Sequence, residues 1–82
     1  MSSPEQILNV LSEITETDEV RRNPDLPLYD LQILDSMRTV ELLLAVARDL
    51  GIEISPAEFD RDAWATPGKF VADLLSRSAS AH

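Results

Sequence analysis

Residues 40–51 constrain the fold more than any other stretch. Val40, Leu43, Leu44, Ala47 and Leu50 recur at the three- and four-residue spacing of one helical face. Arg38, Glu41, Arg48 and Asp49 mark the expected solvent face, and Gly51 follows where a left-handed residue would close the helix. A strand would need alternation with period two, and no stretch of the chain shows it. The helical spacing occurs twice more. Ile7, Val10, Leu11 and Ile14 share one arc, with Pro4 tolerated at the start, which predicts a first helix from about Glu5 to Thr17. Phe70, Val71, Leu74 and Leu75 supply the apolar face of a last helix, opened by Thr66-Pro67. Between these, Ser55-Pro56-Ala57-Glu58 joins a capping-box spacing to a proline at the first helical position, which predicts a short third helix. The expected architecture is all-α: a four-helix bundle with three long helices and one short.

The connection between the first and second helices, Asp18 to Asp35, exceeds the ~12–15 residues that compact domains usually leave without structure. Asn23-Pro24-Asp25-Leu26-Pro27 breaks any periodicity in it. Leu26, Leu28, Leu31, Ile33 and Leu34 predict that this loop is pinned to the core. The polar run from Ser76 to His82 is predicted to fray, leaving an ordered core of about residues 5–76 in a single domain spanning 1–82.

With 82 residues the chain can build one core. It has no cysteine, so disulfides are excluded. No apolar run approaches the ~20 residues of a membrane span, and the N-terminus lacks the basic and apolar segments of a signal peptide. A cytoplasmic protein without membrane insertion is expected. Fifteen acidic residues against seven basic give a net charge of −8, which repels nucleic-acid backbones and speeds encounter with basic protein surfaces.

Enzyme chemistry finds little support. The single histidine is His82, in the predicted tail, so no imidazole is placed to activate a serine. Asp60-Arg61-Asp62 opens like a calcium loop, but Ala65 stands at the sixth position, where glycine is needed, and Val71 replaces the bidentate glutamate. Pro67-Gly68-Lys69 has the lysine of a phosphate loop without its glycines. These absences point to a chain on which other enzymes act.

Ser36 stands in Ile33-Leu34-Asp35-Ser36-Met37, at the mouth of the second helix. Two roles are open to it. Asp35 or Ser36 could be the N-cap. Alternatively, a phosphodiester on the Ser36 hydroxyl would meet free backbone N–H groups and the positive end of the helix dipole. On the helical wheel Ser36 shares the azimuth of Val40, Leu43 and Ala47, so an arm attached there would start above a seam between helices.

The helix arrangement, the long first loop and the Asp35-Ser36 dipeptide resemble the phosphopantetheine-binding family of acyl and peptidyl carrier proteins. The similarity runs from about Glu5 to Ser76. It is most specific in Leu34 to Leu44 and Glu58 to Pro67, which look like the D-alanyl carrier proteins of teichoic-acid modification. Met37 departs from the pattern, since the family tends to place leucine there and the D-alanyl branch an aromatic.

The resemblance implies a four-helix carrier-protein bundle in which Ser36 bears 4′-phosphopantetheine, installed from coenzyme A by a phosphopantetheinyl transferase. The arm's thiol would hold cargo as a thioester. It further implies a stand-alone, monomeric carrier whose cargo is an amino acid, loaded by an ATP-dependent adenylating enzyme. An acyltransferase, a downstream carrier or another acceptor would receive it, in teichoic-acid D-alanylation or in polyketide and nonribosomal-peptide assembly. Asp35, Met37, Thr39 and Glu41 would be partner contacts on the first turns of the second helix, beside Arg38 and Leu42, all expected to be at least half-exposed. Glu41 could instead pair with Arg38. Trp64 and Phe59 read as core anchors, and Asp60 to Asp62 as a solvated turn or a second docking rim. The alternatives are an ordinary acyl carrier of polyketide or fatty-acid synthesis and, from another class, an unmodified helical interaction module in which Ser36 only caps.

Overall fold

The computed structural model describes residues 3–55 and 57–80. Helix α1 spans Pro4–Thr15 and opens with a complete capping box. Gln6 N donates to Ser3 Oγ at 3.2 Å, and Ser3 N donates to Gln6 Oε1 at 3.1 Å. Its buried face is Ile7, Val10, Leu11 and Thr15, with Ile14 packed at the edge. It ends at Thr15, two residues before the predicted Thr17, with Glu16 as its cap in the left-handed conformation.

The long connection contains a helical turn absent from the sequence-based expectation, α2 (Glu19–Arg22). Val20 drives its single apolar side chain into the core. Further along, Leu26, Leu28 and Leu34 are buried, and backbone bonds hold the segment down. Leu28 N donates to Ala65 O at 2.9 Å, while Ile33 N and Leu34 N both donate to Leu28 O. Leu31, predicted to help pin this loop, is instead exposed. Successive residues of the tight turn at 28–34 cannot all face inward, and Leu31 lies at its tip.

Helix α3 spans Ser36–Leu50, with Asp35 as N-cap and Gly51 as C-cap at φ 68°. Its length matches the prediction, but its orientation does not. The buried residues are Thr39, Leu42, Ala45 and Val46, whereas Val40 and Leu44 are 55 % and 67 % exposed. The helix is therefore rotated by roughly 100° about its axis from the predicted face, at ~3.6 residues per turn. Arg38 explains the difference. It lies toward α1 with its stem half-buried, donating from its guanidinium to Ile14 O and pairing with Glu16. A charged residue thus borders the core face rather than marking the solvent side.

The predicted short helix at Ser55 is a correction of another kind. Ser55 and Glu58 do form a turn, with Glu58 N and Phe59 N both donating to Ser55 O. The turn does not propagate, because Asp60 is extended and a short 3-10 helix, Arg61–Trp64, begins after it. Pro56, part of the predicted start signal, lies outside the described residues. Asp60 caps the 3-10 helix, accepting from Asp62 N at 3.0 Å. Trp64 is buried at the centre of an aromatic cluster, edge-on to Phe59 at 5.0 Å and to Phe70 at 4.7 Å.

Helix α4 spans Pro67–Ser80 and buries Phe70 and Leu74. Its start docks against the long connection. Gly68 N donates to Pro24 O at 3.0 Å, and a Cβ at Gly68 would meet that same oxygen at 3.1 Å, so glycine permits the approach. Asp73 accepts from the Trp64 indole N–H at 2.9 Å and from Arg77 Nε at 3.0 Å. This pairing, one turn apart, accompanies continuation of the helix through residues 77–80, which were predicted to fray. His82 lies outside the described residues. Helix α1 packs on both α3 and α4, and α4 covers the 3-10 helix, giving the all-α bundle without strands among the described residues.

Candidate functional site

The head of α3 separates the two roles open to Ser36. Asp35 is the cap: its backbone is extended, and Oδ1 accepts from Arg38 N at 2.8 Å. Ser36 is the first residue of the helix, exposed, and its hydroxyl has no hydrogen-bond partner among the described residues. Its side chain is thus not needed to close the helix end.

Ser36 opens onto a groove of about 840 Å³. One wall is the face of α3 that bears Val40, Leu43, Leu44 and Ala47. These are residues whose spacing suggests a core stripe; Leu43 does pack partly against the core, as Leu50 does, while Val40 and Leu44 are left open to the groove. Eleven residues separate Ser36 from Ala47, about 16 Å along the helix at ~1.5 Å per residue. Ile54 and Phe59 face them from the segment after α3, and Tyr29, Gln32 and Leu34 from the connection before it. Asp35, Glu53 and Arg61 supply charge to a mostly apolar lining.

Tyr29 and Arg61 are tied to the head of α3. The Tyr29 hydroxyl lies 2.8 Å from Thr39 Oγ1, one turn after Ser36, and the Arg61 guanidinium lies over the Tyr29 ring, 4.3 Å from its centroid. Spacing along the sequence gave no signal for Tyr29 or Glu53 as site residues, and it offered Arg61 only as part of a solvated turn or docking rim. The three come from different segments and meet only through the fold. The extra apolar residues on α3 did carry a signal: Val40 and Leu44 are more than one buried face requires.

Another depression lies on the other side of Ser36's turn and is lined by Glu13, Ile14, Glu16, Asp35, Met37, Arg38 and Glu41. Of the four predicted partner contacts, Asp35, Met37 and Glu41 are exposed around it, Met37 at 73 %. Thr39 differs. It is 7 % exposed and faces Tyr29, so it offers a docking protein little surface. Leu42 is fully buried and is likewise no part of that surface. Arg38 turns to Ile14 and Glu16 rather than to Glu41, which has no ion-pair partner among the described residues.

No group of three or more metal-ligating side chains occurs among the described residues, and no described helix is long and apolar enough to cross a membrane. Comparison with protein families yields a match to the phosphopantetheine attachment site over residues 5–74.

Proposed function

The chain belongs to the phosphopantetheine attachment-site family, and from that premise we propose that Ser36 is the attachment point and that the cargo is an amino acid. It is a carrier protein with covalently attached 4′-phosphopantetheine, in a family whose domains are typically substrates of other enzymes rather than catalysts. A phosphopantetheinyl transferase and enzymes that load and unload the arm are its general partners.

The observation that carries the Ser36 assignment is its unbonded, exposed hydroxyl at the first position of a fifteen-residue helix whose cap is already supplied by Asp35. The side chain can be derivatised without loss of a structural bond. A diester there would sit at the positive end of the α3 dipole, near backbone N–H groups that have no partner within the helix. The apolar groove running from Ser36 along α3 gives an attached arm a wall to lie against. When bound, the group supplies a thiol that holds an acyl group as a thioester at the end of a long arm.

Two features support an amino-acid cargo. The stretches Leu34 to Leu44 and Glu58 to Pro67 are similar to D-alanyl carriers. In addition, Glu53 lines the groove with no ion-pair partner among the described residues, and a carboxylate so placed suits a cargo with a free ammonium group. The loading partner is then an ATP-dependent adenylating enzyme of the cytoplasm. The acceptor is an acyltransferase or further carrier in teichoic-acid D-alanylation or natural-product assembly. Met37, exposed within the rim of Glu13, Glu16, Asp35 and Glu41, suits a partner with an apolar spot inside a basic surface. A second reading, an ordinary acyl carrier, is favoured by the apolar wall of Val40, Leu43, Leu44 and Ile54, which would accept an aliphatic chain.

Intact mass after incubation with coenzyme A and a broad-specificity phosphopantetheinyl transferase tests the attachment. The expected gain is one phosphopantetheinyl group, absent in Ser36→Ala; a gain that survives this substitution refutes the assignment. Offering the modified protein amino acids with adenylating enzymes and ATP, against fatty and malonyl thioesters with their loading enzymes, tests the cargo. Exclusive loading of the latter defeats the aminoacyl reading.

A further inference from the structure

Among the described residues, Arg61 is the one basic side chain lining the groove onto which Ser36 opens. Four of the seven basic residues, Arg21, Arg38, Arg48 and Arg77, are held by carboxylates. Arg61 is not, although it lies between two aspartates in an acidic chain. The Asp60 carboxylate is engaged with Asp62 N, and the guanidinium lies on the Tyr29 ring. A guanidinium held over a ring by its charge does not spend its N–H groups on a carboxylate and keeps them available to donate. The ring beneath is fixed by its bond to Thr39, and Thr39 N donates to Asp35 O at 2.8 Å. A chain of contacts therefore ties an unpaired cation to the first turn of α3.

A phosphodiester presents one negative charge and two free oxygens, a geometry matched by the two parallel N–H bonds that arginine can donate. At Ser36 it would stand next to the Asp35 carboxylate, on a chain already at −8. The basic residue nearest in sequence, Arg38, is occupied by Ile14 O and Glu16 on the α1 side. We infer that Arg61, held over the Tyr29 ring, is the counter-ion of the Ser36-linked phosphodiester and turns the arm toward the groove. This rests on Ser36 as the attachment point. Arg61 acts as a positioning residue, since it offsets the charge of the diester and sets the direction in which the arm leaves the helix. The same contact gives the Asp60-Arg61-Asp62 turn a role distinct from docking a partner protein.

The test uses the full chain, isotope-labelled, before and after modification with coenzyme A and a phosphopantetheinyl transferase, with intact mass verifying the product. In the wild-type protein the Arg61 Nε–H resonance and the Tyr29 ring resonances are expected to move on modification. In modified Arg61→Gln the phosphorus resonance of the diester is expected to shift from its wild-type position, and the change at Tyr29 to be lost. A full mass gain with Arg61 and Tyr29 unmoved overturns the inference and leaves the carrier reading standing. No mass gain overturns both. The wild-type comparison needs no variant to fold.

Discussion

Replacing Asp35 and Ser36 in turn separates the structural from the chemical role of this dipeptide. Asp35→Ala removes the 2.8 Å bond from Arg38 N and a carboxylate from the positive end of α3. Loss of a cap costs about 1 kcal/mol. Because Asp35 is exposed, its charge contributes only about 0.3 kcal/mol, the low end for a helix terminus. The sum, about 1.3 kcal/mol, lowers Tm by roughly 5–10 °C, at ~4–8 °C per kcal/mol for a domain of this size. Asp35→Asn retains an oxygen able to cap and should lose only the charge contribution. Ser36→Ala removes a hydroxyl without a partner and introduces the best helix former, so stability should stay within about 0.5 kcal/mol of wild type. Urea denaturation followed by far-ultraviolet circular dichroism, at constant m, measures all three. If Ser36→Ala costs as much as Asp35→Ala, Ser36 is part of the cap and the separation of roles is wrong.

Two further substitutions probe the packing. Leu42→Ala should cost about 2–5 kcal/mol, as for a fully buried leucine, whereas Leu44→Ala, two residues on, should fall within about 0.5 kcal/mol of wild type; equal losses in urea denaturation would mean that the orientation of α3 is wrong. Asp73→Ala leaves the buried Trp64 indole N–H without its acceptor and should cost about 1–3 kcal/mol, with a change in tryptophan fluorescence. Asp73→Asn, which keeps an acceptor oxygen, should recover much of that loss.

The existence of the three long helices and the length of α3 were legible because the relevant signals are local. Asp35 and Gly51 bracket α3, and the apolar residues of α1 and α4 keep a helical period. The turn α2 was not legible: four residues with one apolar side chain cannot display a period, and it is Val20's burial in the core that anchors it. The Ser55 to Glu58 signal was locally correct and globally insufficient. Its turn forms, but Phe59 is drawn to Trp64 and the chain must extend at Asp60 to bring the 3-10 helix onto α4. Tyr29 and Glu53, and the place of Arg61 over the Tyr29 ring, were illegible for a third reason, since contacts between distant segments leave no spacing to read.

The orientation of α3 joins this limit to function. From Leu42 to Ala47 the helix is apolar at six consecutive positions, so it is apolar around much of its circumference and no single face is specified by period alone. The charged residues then set the apparent solvent side, and Arg38 sets it wrongly because its stem is long enough to pass along the core edge while its head finds Ile14 O and Glu16. Rotated into place, the helix covers the core with Thr39, Leu42, Ala45 and Val46 and leaves Val40 and Leu44 uncovered. A helix needed only for stability would gain by carrying polar residues there, because exposed apolar surface contributes nothing to the folded state and invites association. The exposed face starts at Ser36, runs along the groove, and includes the same azimuth on which an attached arm would begin. The surplus apolar residues of α3 are therefore accounted for by the site rather than by the core.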